Sequence, residues 1–184
     1  MSQKFNIFLR IYPGSVVGRA LNASNFRSKK NHPFTRRKYM GGVPGSKIVK
    51  FTMGNTSRDY THRLELINIK YVQIRHNALE SGRIAANRVL ESNVGRENFM
   101  LKIVPFPHQV IREHKRVNVA QADRFQEGMK KAYGKPFAVA ARIEKGKPIM
   151  VAEVDKENIS FAREALKRAG AKFPSRTRIF VKPL

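Results

Sequence analysis

The first acidic residue in the chain is Asp59. Ahead of it stand twelve cations: Lys4, Arg10, Arg19, Arg27, Lys29, Lys30, Arg36, Arg37, Lys38, Lys47, Lys50 and Arg58. A block of like charge repels itself, and a compact surface in water ordinarily interleaves both signs. A stretch of this length without an acid therefore requires an anionic neighbour. The rest of the chain extends the imbalance, with 37 Lys and Arg against 13 Asp and Glu and a formal net charge of +24. Phosphates meeting such side chains release their counterions, which favours association, so nucleic acid is the expected partner.

The 184 residues suffice for one well-buried core, and 41% of them are hydrophobic, too many for a disordered basic tail. With no cysteine, disulfides and thiolate metal sites are excluded. No stretch approaches the roughly 18 apolar residues of a spanning helix, and no membrane partner is expected. Phe5 to Leu21 is apolar, contains Arg and lacks acid, as an organellar leader would. Pro13-Gly14 interrupts any amphipathic helix there, which argues for an intracellular chain with a basic N-terminal arm.

Residues 1–46 carry turn signals at Pro13-Gly14, Asn31-His32-Pro33 and Gly41 to Gly45, too close together for long elements. Ile48, Phe51 and Met53 suggest a strand ended by Gly54-Asn55. His62 to Ile74 alternates, with Leu64, Leu66 and Tyr71 interleaved with Glu65, Asn68, Lys70 and Gln73, which predicts one strand with a wet face. Asn77 and Glu80 form a loose capping box for a helix carrying Ala78, Leu79, Ala85, Ala86, Val89 and Leu90, with Gly95 as its stop. Phe99 to Phe106 reads as strand, closed by Pro105 and Pro107. Ala138 to Glu144 and Ile149 to Val154 suggest a hairpin around Lys145-Gly146-Lys147. Ile159, Ala162, Ala165, Leu166 and Ala169 share one face of a second helix, with Gly170 at its C-terminal cap and Lys167 and Arg168 complementing its dipole. Thr177 to Val181 adds a last strand. The pattern is α+β: one domain of mixed or antiparallel sheet with two packed helices.

No catalytic constellation emerges. His32, His62, His76, His108 and His114 lack the short spacings that place two imidazoles on one metal, and neither a Gly-x-Ser-x-Gly elbow nor a Walker loop is present. No cofactor, metal or enzymatic activity is expected. The basic clusters carry more information. Arg27, Lys29 and Lys30, and Arg36-Arg37-Lys38 between Phe34 and Tyr39, mix flat rings with cations, a combination suited to RNA. Lys167, Arg168, Lys172, Arg176, Arg178 and Lys182 follow the last acid, Glu164. Between them, Lys115 to Lys135 joins two strand candidates and is equally basic, with Arg112, Lys115, Arg116, Arg124, Lys130, Lys131 and Lys135. Ala122, Phe125, Met129 and Tyr133 fall at helical spacing and would suit a docked helix, but Gly128 weakens one by about 1 kcal/mol relative to Ala. An arm ordered against its partner is the favoured expectation.

Asn31-His32-Pro33-Phe34, Gly42-Val43-Pro44-Gly45-Ser46-Lys47-Ile48, Met53-Gly54 and Arg83-Ile84-Ala85-Ala86-Asn87-Arg88 form part of a colinear series. It continues through Phe106-Pro107-His108-Gln109-Val110-Ile111-Arg112, Ala122-Asp123-Arg124-Phe125-Gln126-Glu127-Gly128-Met129 and Tyr133-Gly134-Lys135-Pro136, and finishes at Lys172-Phe173-Pro174. The series resembles the universal large-subunit ribosomal protein family called L sixteen in bacteria and L ten e in archaea and eukaryotes, in its archaeal style. The resemblance runs from about Asn25 to the end of the sequence. It departs at Gln121, where many relatives have Gly, and in the residues that precede the family's usual start.

The resemblance implies a domain of α/β-hammerhead type over residues 25–184, preceded by a basic extension over residues 1–24. It implies a structural role in the large ribosomal subunit, in the cytoplasm, with large-subunit rRNA, tRNA acceptor arms and neighbouring proteins as partners and no homo-oligomer. The expected rRNA-binding residues are Arg27, Lys29, Lys30, Arg36, Arg37, Lys38, Lys47, Arg112, Lys115, Arg116, Arg176 and Arg178. The family's long central loop, here about Arg116 to Ala132, reaches towards the peptidyl-transferase centre, which makes Arg124, Lys130, Lys131, Tyr133 and Lys135 tRNA-proximal. Charge alone also fits an architectural DNA-binding protein, which tends to need a symmetric dimer and a groove-fitting element. An RNA-modifying enzyme would need the catalytic cluster that is missing here.

Overall fold

The computed structural model describes Lys38, residues 40–113 and residues 134–184. Its elements run β1 (Thr52–Gly54), β2 (His62–Asn68), β3 (Val72–Arg75), α1 (His76–Asn93), β4 (Phe99–Ile103) and β5 (Gln109–Glu113). After residue 133 follow β6 (Lys135–Ile143), β7 (Pro148–Val154), α2 (Ile159–Gly170) and β8 (Thr177–Pro183). The α+β architecture and the antiparallel pairing match expectation. The strands, however, divide between two sheets, one in the order β1-β4-β7-β2-β8 and the other β3-β6-β5.

Helices cover one face of the larger sheet. Leu64, Leu66, Leu101, Ile103, Met150 and Ala152 lie on that face and join Leu79, Ala86, Val89 and Leu90 of α1 and Ala162, Ala165, Leu166 and Ala169 of α2 in one core. Small residues on α2 allow the two helices to approach closely. Gly82 of α1 carries the same requirement: a Cβ there would lie 2.8 Å from the ring of buried Phe173. That contact accounts for a mid-helix glycine despite its helix-propensity cost of about 1 kcal/mol. Gly54 has φ +83°, and a Cβ there would sit 2.0 Å from the Phe99 carbonyl oxygen, so β1 meets β4 through glycine.

Several expectations require correction. The strand from His62 to Ile74 is two strands in different sheets, separated by Ile69 to Tyr71. Its supposedly wet face is also partly interior, since Glu65, Asn68 and Gln73 are buried. The Ala138–Glu144 and Ile149–Val154 strands exist but do not form a hairpin: β6 pairs with β3 and β5, whereas β7 pairs with β2 and β4. The helix begins at His76, because β3 runs straight into α1 and Asn77 is already within it, with no side-chain cap bond. β5 was not anticipated as a strand. It pairs with β6 across a register shift after Ile111, where Arg112 faces Pro136, a residue with no N–H to donate. At the end of α2, Gly170 is the last helical residue and Ala171 closes the helix.

Two of the chain's four sheet changes, β2 to β3 and β6 to β7, meet at one residue. Asn68 ends β2 and is fully buried. Its N–H donates to the Lys147 carbonyl (3.2 Å), and its own carbonyl accepts from the Gly146 N–H (2.9 Å). The departing chain is thereby hydrogen-bonded to the returning one. The Asn68 side chain donates through Nδ2 to the Lys70 carbonyl and accepts at Oδ1 from the Ser175 hydroxyl. Asn68→Ala would remove both bonds, one to the carbonyl of exposed Lys70 and one from the hydroxyl of half-buried Ser175. The expected loss is about 1–3 kcal/mol of unfolding free energy by urea denaturation, since each of the two hydrogen bonds contributes about 0.5–1.5 kcal/mol net. A loss below about 0.5 kcal/mol would mean that the crossing does not depend on this side chain.

Candidate nucleic-acid interface

Lys47 and Lys50 flank a short segment anchored to α1 by two side-chain acceptors. The Lys47 N–H donates to His76 Nδ1 at 3.3 Å, and the Val49 N–H donates to Glu80 Oε2 at 3.3 Å. Between them Ile48 is buried in the core, while Lys47, Val49 and Lys50 are exposed. Glu80, expected as half of a capping box, instead accepts from Arg83 Nε (2.9 Å) and Nη2 (2.6 Å). Those bonds hold its carboxyl below the usual range, with the Val49 N–H assisting and burial opposing. Burial drives the His76 imidazole below its ordinary value, helped by Arg75 and Lys47 and opposed by a backbone bond at Gly45. A neutral His76 keeps Nδ1 available as an acceptor and leaves the positive charge to the exposed lysines.

Arg112 and Lys135 come together at the other sheet. Glu113 of β5 faces Lys135 of β6, and Arg112 faces Pro136, so the antiparallel pair places both cations where residues 114–133 leave and rejoin the fold. Lys135 is exposed and Arg112 half-buried. Nearby on this sheet, the Arg75 guanidinium lies 5.2 Å from the Phe137 ring centroid.

Arg176 and Arg178 flank Thr177, the residue of β8 that faces Asn68. Both are exposed on the edge strand of the larger sheet, and the Ile69 N–H donates to the Arg176 carbonyl at 3.3 Å. Lys38 is exposed as well. The described candidates thus form separate patches: Lys47, the Arg112–Lys135 pair, and Arg176 with Arg178. Arg27, Lys29, Lys30, Arg36, Arg37, Lys115, Arg116, Arg124, Lys130, Lys131 and Tyr133 lie outside the described residues, as do residues 1–24.

Part of the cationic run serves the fold. Arg58 donates to Asn98 Oδ1 and Asp155 Oδ2, both at 2.6 Å. Lys182 meets Glu65 at 2.9 Å, and Arg168 meets Glu164 at 2.6 Å one helical turn away. The exposed Arg58 and Arg168 pairs contribute little to stability individually, at most about 1 kcal/mol, yet they and the Lys182 pair on buried Glu65 each occupy a cation that charge counting assigned to a partner. Sequence reasoning also passed over exposed Lys102, Phe106 and His108. The cue for the latter two was an aromatic between two prolines and an imidazole directly after the second. Among the described residues, no three His, Asp or Glu side chains converge as a metal site requires, and no helix is long and apolar enough to cross a membrane.

Residues 29–180 match the family model described as ribosomal protein L16p/L10e. The chain belongs to this family. It is 52% identical to a large ribosomal subunit protein uL16 of Staphylothermus marinus over 83% of this chain and 87% of that one. The same-named protein of Methanoculleus marisnigri is 47% identical over 85% of this chain and 92% of its own length, and that of Sulfolobus acidocaldarius 45% over 86% and 92%. The resemblance drawn from short motifs is therefore borne out across most of the chain.

In this L16p/L10e protein the segment anchored by His76 and Glu80 should be acid-labile. An unfolded imidazole gains its proton around 6.5 while the folded one resists, so stability is unaffected above 6.5 and falls as pH drops below it. Glu80 contributes stability that is present above 4.5 and lost as pH falls through its folded value. Urea unfolding across a pH series should therefore decline in two stages. His76→Gln should flatten the upper stage and Glu80→Gln the lower. An H76Q profile superimposable on the wild type would remove His76 from the account.

Proposed function

We propose that this chain, a structural constituent of the large ribosomal subunit, binds rRNA beside the peptidyl-transferase centre and helps to position the acceptor arms of tRNA. Family membership makes the role structural, and we take it to be non-catalytic. One observation carries the finer reading: the β5–β6 pair delivers both ends of the basic segment 114–133 from one point of the fold, with Arg112 and Lys135 at its base. A segment held this way can be projected outward without support from the core. In our reading Arg124, Lys130, Lys131, Tyr133 and Lys135 face tRNA, while Lys38, Lys47, Arg176, Arg178 and the basic residues from Arg27 to Arg37 meet rRNA phosphates. Arg112, Lys115 and Arg116 would anchor the base of the segment on rRNA. Residues 25–184 form the rRNA-binding domain and residues 1–24 a basic extension. The partners are large-subunit rRNA, neighbouring ribosomal proteins and tRNA, within cytoplasmic ribosomes, with the protein present as a single copy rather than a homo-oligomer.

With about eight cations on phosphates, the logarithm of affinity for an rRNA fragment should fall with a slope near −7 against log salt, roughly ten-thousandfold for a fourfold increase. A slope shallower than about −2, measured by filter binding, would mean that the basic excess is not the binding surface.

The tRNA-facing role has its own test. Replacing Val119 to Lys131 with a glycine bridge should leave a protein that still enters large subunits, because the β5–β6 pairing does not involve those residues. Subunits carrying it should form peptide bonds at least about tenfold more slowly, the scale expected when a reactant is slightly misplaced. Wild-type rates from such subunits would end the tRNA assignment and leave rRNA binding intact.

A further inference from the structure

Between β4 and β5 the chain crosses from the larger sheet to the smaller through Val104-Pro105-Phe106-Pro107-His108. Two prolines remove two backbone donors and fix two φ angles, so this stretch cannot extend either ladder. It is held in place nonetheless. The Ile103 N–H donates to the Phe51 carbonyl (2.8 Å), the Val104 N–H to the Ile149 carbonyl (3.1 Å) and the His108 N–H to the Phe106 carbonyl (3.0 Å). Pro107 is buried, whereas Phe106 and His108 on either side of it are exposed.

Their rings continue a stack that starts in the core. Phe51 packs against the main hydrophobic cluster. Phe106 stacks on it with centroids 5.4 Å apart and planes 20° from parallel, and His108 lies 4.6 Å from Phe106, tilted by 47°. Three rings therefore lead from the interior to solvent, and Phe106 remains 49% exposed at the step before the last. Every charged residue in the flanking segments 47–53 and 102–109 is a lysine: Lys47, Lys50 and Lys102, all exposed. Lys102 faces Thr52 across the β1–β4 pair, where strand alternation turns it to the sheet face away from Phe51, into a cleft with Arg63 and Glu153.

We propose that Phe106 and His108 form a stacking platform for an unpaired nucleobase of RNA, with Lys50, next to Phe51 in the chain, holding a phosphate beside it. The proposal rests on the RNA-binding reading above and names a contact within it. An unpaired nucleotide brings a flat π surface and an anion together, which is what a fixed ring stair beside an exposed lysine complements. A protein partner fits less well, because the centres of protein interfaces are depleted in lysine. The prolines and the Phe51 stack hold the rings in place before binding, so little conformational freedom is lost when a base arrives.

Stacking and phosphate contacts separate by their salt dependence. The full-length protein would be titrated into a short single-stranded RNA carrying one fluorescent adenine analogue, at several salt concentrations. His108→Ala and Phe106→Leu should each weaken binding about tenfold at every salt, relieve quenching of the analogue and leave the salt slope unchanged. The Lys50→Ala variant should instead reduce the slope by about 1 and preserve the quenching. Phe106→Leu keeps an apolar side chain on Phe51 and removes the π face, and thermal unfolding of each variant reports whether the fold is intact. If folded H108A and F106L bind and quench like wild type while the slope stays steep, the platform is wrong and the RNA reading survives. A shallow slope in the wild type would overturn both.

Discussion

The buried amide of Asn68 is the constraint on which the two-sheet arrangement depends. A chain that leaves one sheet and returns to it must expose backbone groups at both crossings, and buried groups of that kind require partners. Here the outgoing strand end and the incoming turn satisfy each other through Asn68, Gly146 and Lys147. The side chain then bridges Lys70 and Ser175, which ties the start of the second sheet to the approach of β8. An apolar residue at this point would fill space without specifying which segments meet. A side chain that can both donate and accept does specify it.

The same node reaches the charged surface. Thr177 faces Asn68 and is buried, and it lies between Arg176 and Arg178. The position of this cationic edge is therefore set from inside the protein. The Lys47 to Lys50 segment is built on the same plan, with His76 and Glu80 of α1 accepting backbone N–H groups so that buried Ile48 fixes exposed lysines on either side. In both places neutral or paired groups carry the structure, and the cations beside them are exposed.

What could be read from the sequence follows the range of the interactions involved. α2 was legible because Ala162, Ala165, Leu166 and Ala169 repeat at helical spacing and all four are buried. Strand positions were legible for similar local reasons. Strand pairing was not. β6 and β7 are neighbours along the chain with a turn between them, the usual mark of a hairpin, and nothing local shows that each belongs to a different sheet. The break at Ile69 to Tyr71 left a faint trace, since odd-numbered Ile67, Ile69 and Tyr71 interrupt the even-numbered apolar series that runs through Leu64 and Leu66 and resumes at Val72 and Ile74. For the site, the excess of cations was plain from composition, but which of them the fold itself uses was not. Arg58 and Asp155 are 97 residues apart, and Lys182 and Glu65 are 117 apart. Only the tertiary structure brings such partners together.

The few acids explain how so basic a chain folds at all. Glu65, Glu80, Glu153, Asp155 and Glu164 each engage a cation within 4 Å, and three of those partners, Arg58, Arg63 and Lys182, reach them from another part of the chain or a neighbouring strand position. With 13 acids against 37 cations, most of the positive charge has no such neighbour available within the chain. Repulsion among the remainder opposes the compact state, and added salt relieves it by screening. Salt acts in the opposite direction on the complex, where it competes with the phosphates. The free fold and the bound fold thus respond with opposite sign to one variable. RNA supplies at close range, and in fixed positions, the negative charge that the sequence lacks.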